Sequence, residues 1–287
     1  MAKRSQYRRY TRSTAGNVIY FSLLVLAGLF TVFPMFYCII TSLKPLDELL
    51  IFPPKFIVEK PTLSNFTALP ALLSNLEIPI SRYLFNSVFI SITSTFFTII
   101  ACSLAAFTFS KSDIKGAKIC FLIVQVMLLY NSITLGVPQY FIFSKMRLID
   151  TYWIYVLPAI PSSVNCFLMK QFMDVSVPQA LLEAARIDGA GVFGMYWRIV
   201  MPIMKPAWMT VLLFSFQSMW STVPGGTIFS EQLKTLPYVM SSVSAGGIAR
   251  AGSSMAITVL LMIPPIVVFT ISQSNVMETM STSGIKE

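Results

Sequence analysis

Few side chains in this sequence could do chemistry. Its 287 residues hold 12 Asp and Glu, 21 Lys and Arg, and no histidine, which removes the commonest general base and metal ligand. One short stretch still gathers charge, small residues and glycine. It runs Glu183-Ala184-Ala185-Arg186, then Asp188-Gly189-Ala190, with Pro202 a dozen residues further on. The loop acids in this region are Asp174, Glu183 and Asp188. No nucleophile, base or metal-binding cluster stands with them, so the pattern does not suit catalysis. It suits recognition: charged groups offer charge-assisted hydrogen bonds to a partner, and alanines let that partner approach closely. No G-x-x-x-x-G-K-[ST] phosphate loop is present, and Gly-Lys occurs nowhere. The chain is therefore expected to hydrolyse nothing by itself, to hold no metal and to need no cofactor.

The elements that must position these groups are legible locally. Ser176-Val-Pro-Gln179 reads as a capping box, with Ser176 as N-cap and Pro178 in the first turn. Good helix formers follow, from Ala180 to Arg186, and Gly189 and Gly191 are expected to stop the helix in left-handed conformations. A second helix is expected over Val192–Met201, ended by Pro202, with Phe193, Tyr196, Trp197 and Val200 on one face. Two helices joined at a glycine elbow form a knuckle that can enter a groove on another protein. From periodicity alone the same pattern also fits a helix lying on lipid headgroups, or a cap closing a bundle.

The composition decides the setting. Hydrophobic residues make up 55% of the chain and charged residues only 11%, against about 25% in soluble domains. Six runs without Asp, Glu, Lys or Arg are near the ~20 residues that cross a bilayer: 17–43, 83–110, 119–143, 151–169, 207–230 and 253–273. The first is too long for a cleavable signal and lacks a small-x-small site after it. Thirteen of the Lys and Arg fall on the side of the N-terminus and of the loops after the second and fourth spans, and eight on the other. Both termini are thus expected in the cytoplasm. The net charge of +9 sits in short clusters between apolar runs, which sets membrane orientation and argues against nucleic acid as a partner. The division expected is a basic cytoplasmic N-terminus at 1–16, a first span at 17–43, an outer loop at 44–82, a five-helix core at 83–273 with the cytoplasmic loop 170–206, and a cytoplasmic tail at 274–287. Cys38, Cys102, Cys120 and Cys166 form no C-x-x-C pair and suit small buried side chains.

Polar residues inside the runs, among them Asn86, Gln125, Asn131, Asn165 and Gln217, suit interhelical hydrogen bonds. Alternatively they mark a path for a polyol, for which Tyr130, Asn131, Gln217 and Trp220 are the candidates. An ion-coupled transporter would carry ionisable residues in its spans, and these spans have none.

Glu183-Ala-Ala-Arg-Ile-Asp-Gly-Ala190 followed by Ile199-Val-Met-Pro202 resembles the EAA loop of binding-protein-dependent ABC importer permeases, with Met201 where leucine is usual. Thr41-Ser-Leu-Lys44, Asn86-Ser87, Leu104-Ala-Ala-Phe107, Thr235-Leu-Pro237 and Gly284-Ile-Lys286 are similar to segments of the carbohydrate branch of that family, of which the smaller maltose permease is a member. Family members often carry Trp-Asn where this chain has Trp220-Ser221. The resemblance implies an all-α integral membrane protein with six transmembrane helices, the type I ABC importer permease fold, in the bacterial cytoplasmic membrane. It implies a transport subunit for a sugar, an oligosaccharide or another solute. Its partners would be a second permease, two ABC ATPase subunits that bind the ATP, an extracytoplasmic solute-binding protein and membrane lipid. Glu183, Ala184, Ala185, Arg186, Asp188, Gly189, Ala190 and Pro202 would then couple to the ATPase. Ser244, Gly246 and Gly247, read as a flexible outer stretch, would meet the binding protein.

Overall fold

The computed structural model describes residues 14–51, 53, 55–72, 78–112, 114–130, 135–223 and 225–284. Asn131 and the basic residues before Thr14 lie outside them. Three of the uncharged runs become unbroken helices: α1 (Thr14–Ser42), α5 (Ile80–Lys111) and α15 (Ala251–Gly284). No strand occurs among the described residues. The first connecting segment holds the short helices α2 (Leu46–Leu49), α3 (Ser64–Thr67) and α4 (Leu69–Leu72).

The other three runs are divided. The run 119–143 contains α6 (Ala117–Met127) and part of α7 (Gly136–Lys145). The run 151–169 becomes α8 (Trp153–Ala159) and α9 (Ser163–Ser176), broken at Ile160-Pro161-Ser162. Pro161 brings no N–H to that break, and Ser162 restarts the helix as an N-cap, its hydroxyl accepting from the Asn165 N–H at 3.4 Å. The run 207–230 shortens to α13 (Lys205–Trp220). By length and apolarity three helices can cross a membrane, or four if α13 is joined to the bent segment before it, from which it turns by 79°.

Breaks in an apolar bundle leave backbone carbonyls that need donors, and side chains from neighbouring helices provide them. Opposite the α8–α9 break, Thr98 Oγ1 lies 3.1 Å from the Ala159 carbonyl, and Cys102 Sγ lies 3.6 Å from that of Ser162. In α15, Pro265 has no N–H to give the Leu261 carbonyl four residues earlier. The Trp220 indole N–H donates to that carbonyl instead, at 2.9 Å. α5 sits centrally against α8, α9, α13 and α14 (Leu236–Ser244), and beside Tyr83, Ile90 and Phe107 its buried face carries many small residues: Ser87, Ser91, Ser94, Thr98, Ser103 and Ala106. Small residues let membrane helices approach closely.

Asn86 fastens the outer segment to α5. Its amide donates to the Gln232 and Lys234 carbonyls at 2.7 and 2.8 Å, and its oxygen accepts from the Tyr152 hydroxyl at 2.7 Å. Beyond it, α14 (Leu236–Ser244) buries Leu236, Val239 and Val243 against α15. The expected flexible stretch is therefore corrected. Ser241–Ser244 are helical, Gly247 turns the chain at φ +70, and a 3-10 turn over Ile248–Arg250 leads into α15. The apolar positions 236, 239 and 243 carry the helical spacing that outweighs the Ser and Gly composition. At the start of α15, a Cβ on Gly252 would stand 2.4 Å from Asn65 Oδ1, and Asn65 itself is held by the Ser42 and Lys44 carbonyls. Glycine there permits α1, α3 and α15 to meet.

Candidate functional site

The segment 177–204 folds as a knuckle projecting from the bundle. Val177 is extended, as the residue before a proline prefers, and Pro178 takes the N-cap position of α10 (Gln179–Ile187) without a side-chain cap. Ser176 therefore ends α9 rather than capping α10. That corrects the expected capping box: the helical pattern of α9 runs unbroken to the residue before Val177-Pro178.

The end of α10 is a Schellman turn. Gly189 N–H donates to Arg186 O at 3.1 Å, and Ala190 N–H to Ala185 O at 2.9 Å, with Gly189 at φ +82. Gly189 thus takes the expected left-handed conformation. Gly191 does not: at φ −69 and ψ 160 it is extended and precedes α11 (Val192–Met195). A π-helical turn over Tyr196–Val200 follows, then α12 (Met201–Ile203). Pro202 does not end this helix. The wider turn, in which Met201 N–H reaches back to Tyr196 O, eases the clash a proline ring would make with the preceding carbonyls. The chain bends instead at Met204, where Trp208 Nε1 donates to the Met201 carbonyl at 3.2 Å.

The knuckle has an anchored side and a presented side. Leu182, Ala185, Met195, Tyr196 and Val200 are buried in one core with Met169, Met173 and Phe107. The Tyr196 hydroxyl lies 2.6 Å from Ser103 Oγ on α5. Glu183, Ala184, Arg186, Asp188, Gly189 and Pro202 are exposed, Ala190 is half-buried, and Ile187 is 86% exposed. Glu183, Arg186 and Asp188 form no ion pair among the described residues. Asp174, by contrast, is taken up by Lys170 at 2.6 Å and Ser110 at 2.5 Å. Glu183 and Arg186 line a cleft of about 310 Å³ with Phe107, Lys111 and Met195. The expected aromatic face is split. Tyr196 and Val200 turn inward, while Phe193 and Trp197 remain 73% and 52% exposed, stacked with centroids 6.4 Å apart. Three ionisable groups without ion-pair partners among the described residues, beside exposed apolar side chains on a hydrogen-bonded turn, suit contact with another molecule.

Of the candidate path residues described, Gln217 and Trp220 share a cavity that Tyr130 does not line. Tyr130 is exposed in the turn three residues past α6, and Asn131 lies outside the described residues. Gln217 and Trp220 line one cavity of about 470 Å³ with Met35, Pro237 and Thr258. Trp220 is 3% exposed, stacked on Phe216 and committed to Leu261. A second cavity, of about 390 Å³, lies between α5, the α8–α9 break and α13, lined by Thr98, Ser162, Asn165, Ser215 and Ser218. Asn165 Nδ2 donates to Ser215 Oγ at 2.9 Å. Of this group only Asn165 stood out in the sequence. The hydroxyl residues are too common in membrane helices to single out without knowing which face they share. Ser244, Gly246 and Gly247 are exposed, with Ser244 Oγ 2.6 Å from Ser254 Oγ. Among the described residues no cluster of His, Cys, Asp or Glu could hold a metal.

The fold is that of an ABC importer chain. A solved bacterial ABC transporter involved in the import of the acidic polysaccharide alginate superposes with a TM-score of 0.76, over 92% of this chain and 98% of that one, at 20% identity. The sequence resemblance points the same way over nearly the whole length. The chain is 27% identical to the arabinooligosaccharides transport system permease protein AraQ of Bacillus subtilis, over 91% of this chain and 93% of the relative. It is 26% identical to the polygalacturonan/rhamnogalacturonan transport system permease protein YtcP of the same organism, over 90% and 94%. It is 27% identical to the sulfoquinovosyl glycerol transport system permease protein SmoH of Agrobacterium fabrum, over 92% and 91%. No protein-family model matches the chain. Its resemblance is thus to sugar ABC importer permeases, which are transport proteins rather than enzymes, and with its long apolar helices it is a multi-pass membrane protein.

Proposed function

We propose that this chain is the membrane-spanning permease subunit of an ATP-driven importer, forming half of the translocation pathway for a sugar or oligosaccharide. The observation that carries this reading is the knuckle. Its charged side is unpaired and exposed, whereas its other side is fixed through Tyr196 and Ser103 to the central helix of the bundle. Force applied to Glu183, Arg186 or Asp188 by a closing ATPase pair would pass through a rigid turn into α5, α9 and α13. The relatives' transport names support the sugar, and the hydroxyl-lined cavity supplies hydrogen-bonding groups that a polyol needs. Gln217 and Ser218 are exposed on an apolar helix, which fits a face turned toward the second permease and the solute.

The working particle is this chain, one similar permease and two ATPase subunits, visited by an extracytoplasmic binding protein. Tagged chain purified from bacterial membranes should bring an ABC ATPase and a second permease with it. Purification of a lone chain that transports would overturn the assignment. In the membrane we place six crossings, with α6–α7 and α8–α9 as broken spans and both termini inside. Cysteines at Ala184 and Ser241, both exposed, should react with impermeant reagents from opposite sides, in a variant lacking the exposed Cys120. Labelling of both from outside would contradict this topology.

A further inference from the structure

The segment after α1 turns back along the helix it has just left. The Phe56 ring packs on Phe33 and Tyr37, with centroids 6.0 and 6.4 Å away. Those two residues lie in the apolar part of the first uncharged run, which ends at Ile40 before Thr41-Ser42. At about 1.5 Å per residue, Tyr37 is ~4 Å and Phe33 ~10 Å short of its end. Phe56 is therefore held on the membrane side of that end, within the ~5–10 Å depth at which interfacial segments bury their apolar face.

Its neighbours are apolar and exposed. Leu50, Ile51 and Ile57 are 59%, 42% and 80% exposed, and Phe56 itself, despite its ring contacts, is 61% exposed. A purely aqueous loop would gain by turning such residues inward. Polar groups are gathered instead at the rim. Lys44, only 3% exposed, donates to the Lys55 carbonyl. The Glu48 carboxylate accepts from the Lys60 and Glu59 N–H groups at 2.7 and 3.3 Å, and Lys55 pairs with Glu59 at 2.6 Å. These bonds satisfy backbone groups close to the lipid boundary and hold the loop folded back.

We infer that the loop carrying Leu50, Ile51, Phe56 and Ile57 dips into the lipid leaflet at the C-terminal end of α1, with phospholipid acyl chains as its partner. It would act as a depth stop, fixing how far α1 sits in the bilayer. The inference rests on α1 crossing the membrane, and not on what the chain transports or whether an ATPase docks.

The test is a nitroxide spin label at Ile57→Cys, with Cys38 and Cys120, the two cysteines that are not buried, replaced by serine. The full chain is reconstituted in liposomes of phosphatidylethanolamine and phosphatidylglycerol, with Leu50→Cys as a second site and Glu59→Cys as the rim control. Dissolved oxygen should relax the label more than a water-soluble nickel chelate does at positions 57 and 50, and the order should reverse at 59. A label at 57 and 50 relaxed chiefly by the nickel chelate would make the loop aqueous. A label reached by neither would mean that protein, from this chain or a second copy of it, covers the site in place of lipid. Either result overturns the proposal.

Discussion

Valine at Gly189 should leave the chain in the membrane at normal levels but lose its ATPase, whereas asparagine at the same position should largely keep it. A Cβ at Gly189 would meet nothing within 4 Å, so space is not the constraint. The constraint is the backbone at φ +82. A left-handed conformation costs an L-residue about 1–2 kcal/mol, and for a β-branched residue it is an outlier. Asparagine enters it more readily, since its side chain can hydrogen-bond locally. Valine would relieve the strain by opening the Schellman turn, which re-aims α10 relative to α11. At ~1.4 kcal/mol per factor of ten, docking should fall about tenfold or more. Co-purification of ATPase with each variant reads this directly, and equal recovery with valine and wild type would contradict the coupling role of the turn.

Asn86→Ala should produce the largest loss of stability. It removes two donors from the Gln232 and Lys234 carbonyls and the acceptor of the Tyr152 hydroxyl, at a residue with no exposed surface. A buried polar group left unsatisfied costs about 1–3 kcal/mol. Asn86 is fully buried, but Gln232 is exposed and Tyr152 and Lys234 are half-buried, where water can replace part of the loss, so the variant should lose about 1–3 kcal/mol in all. The apparent melting temperature of the purified chain should drop by at least roughly 2–4 °C. The outer segment 230–240 should become more open to proteases, because Asn86 ties it to α5. The knuckle is built on other contacts, so ATPase recruitment at low temperature should persist. An unchanged melting temperature would show that water replaces these bonds at no cost.

The parts of this fold that were legible in the sequence are those governed by a single local rule. α1, α5 and α15 follow from uninterrupted apolar runs, and Gly189 follows from the need for positive φ at a helix end. Glu183, Arg186 and Asp188 read as polar groups of a docking surface, and in the structure all three are exposed and free of ion pairs among the described residues. What was not legible depends on contacts between distant segments. The α8–α9 break is held by Thr98 and Cys102, about 60 residues earlier. Trp220 read as a solute contact, but its indole is needed by a carbonyl that Pro265 leaves free 41 residues downstream of Trp220. Ser176 read as a cap because its spacing to Gln179 fits, yet the extended Val177 moves the start of α10 past it. Phe193, Tyr196, Trp197 and Val200 read as one face, yet packing against the bundle buries only Tyr196 and Val200 and leaves Phe193 and Trp197 exposed. In the outer segment, composition suggested flexibility where periodicity already signalled α14.

In the proposed importer, Glu183 and its neighbours pass the ATPase's motion into the bundle. The most direct measurement is binding-protein-stimulated ATP hydrolysis by the assembled transporter in liposomes, comparing wild type with Glu183→Ala. The glutamate is exposed and has no internal ion pair among the described residues, so its loss should leave insertion and thermal stability unchanged. A hydrogen bond to a charged group is worth about 1.5–3 kcal/mol, so stimulated hydrolysis should fall about tenfold or more. Full stimulation by the Glu183→Ala transporter, with its ATPase still bound at wild-type levels, would contradict the claim.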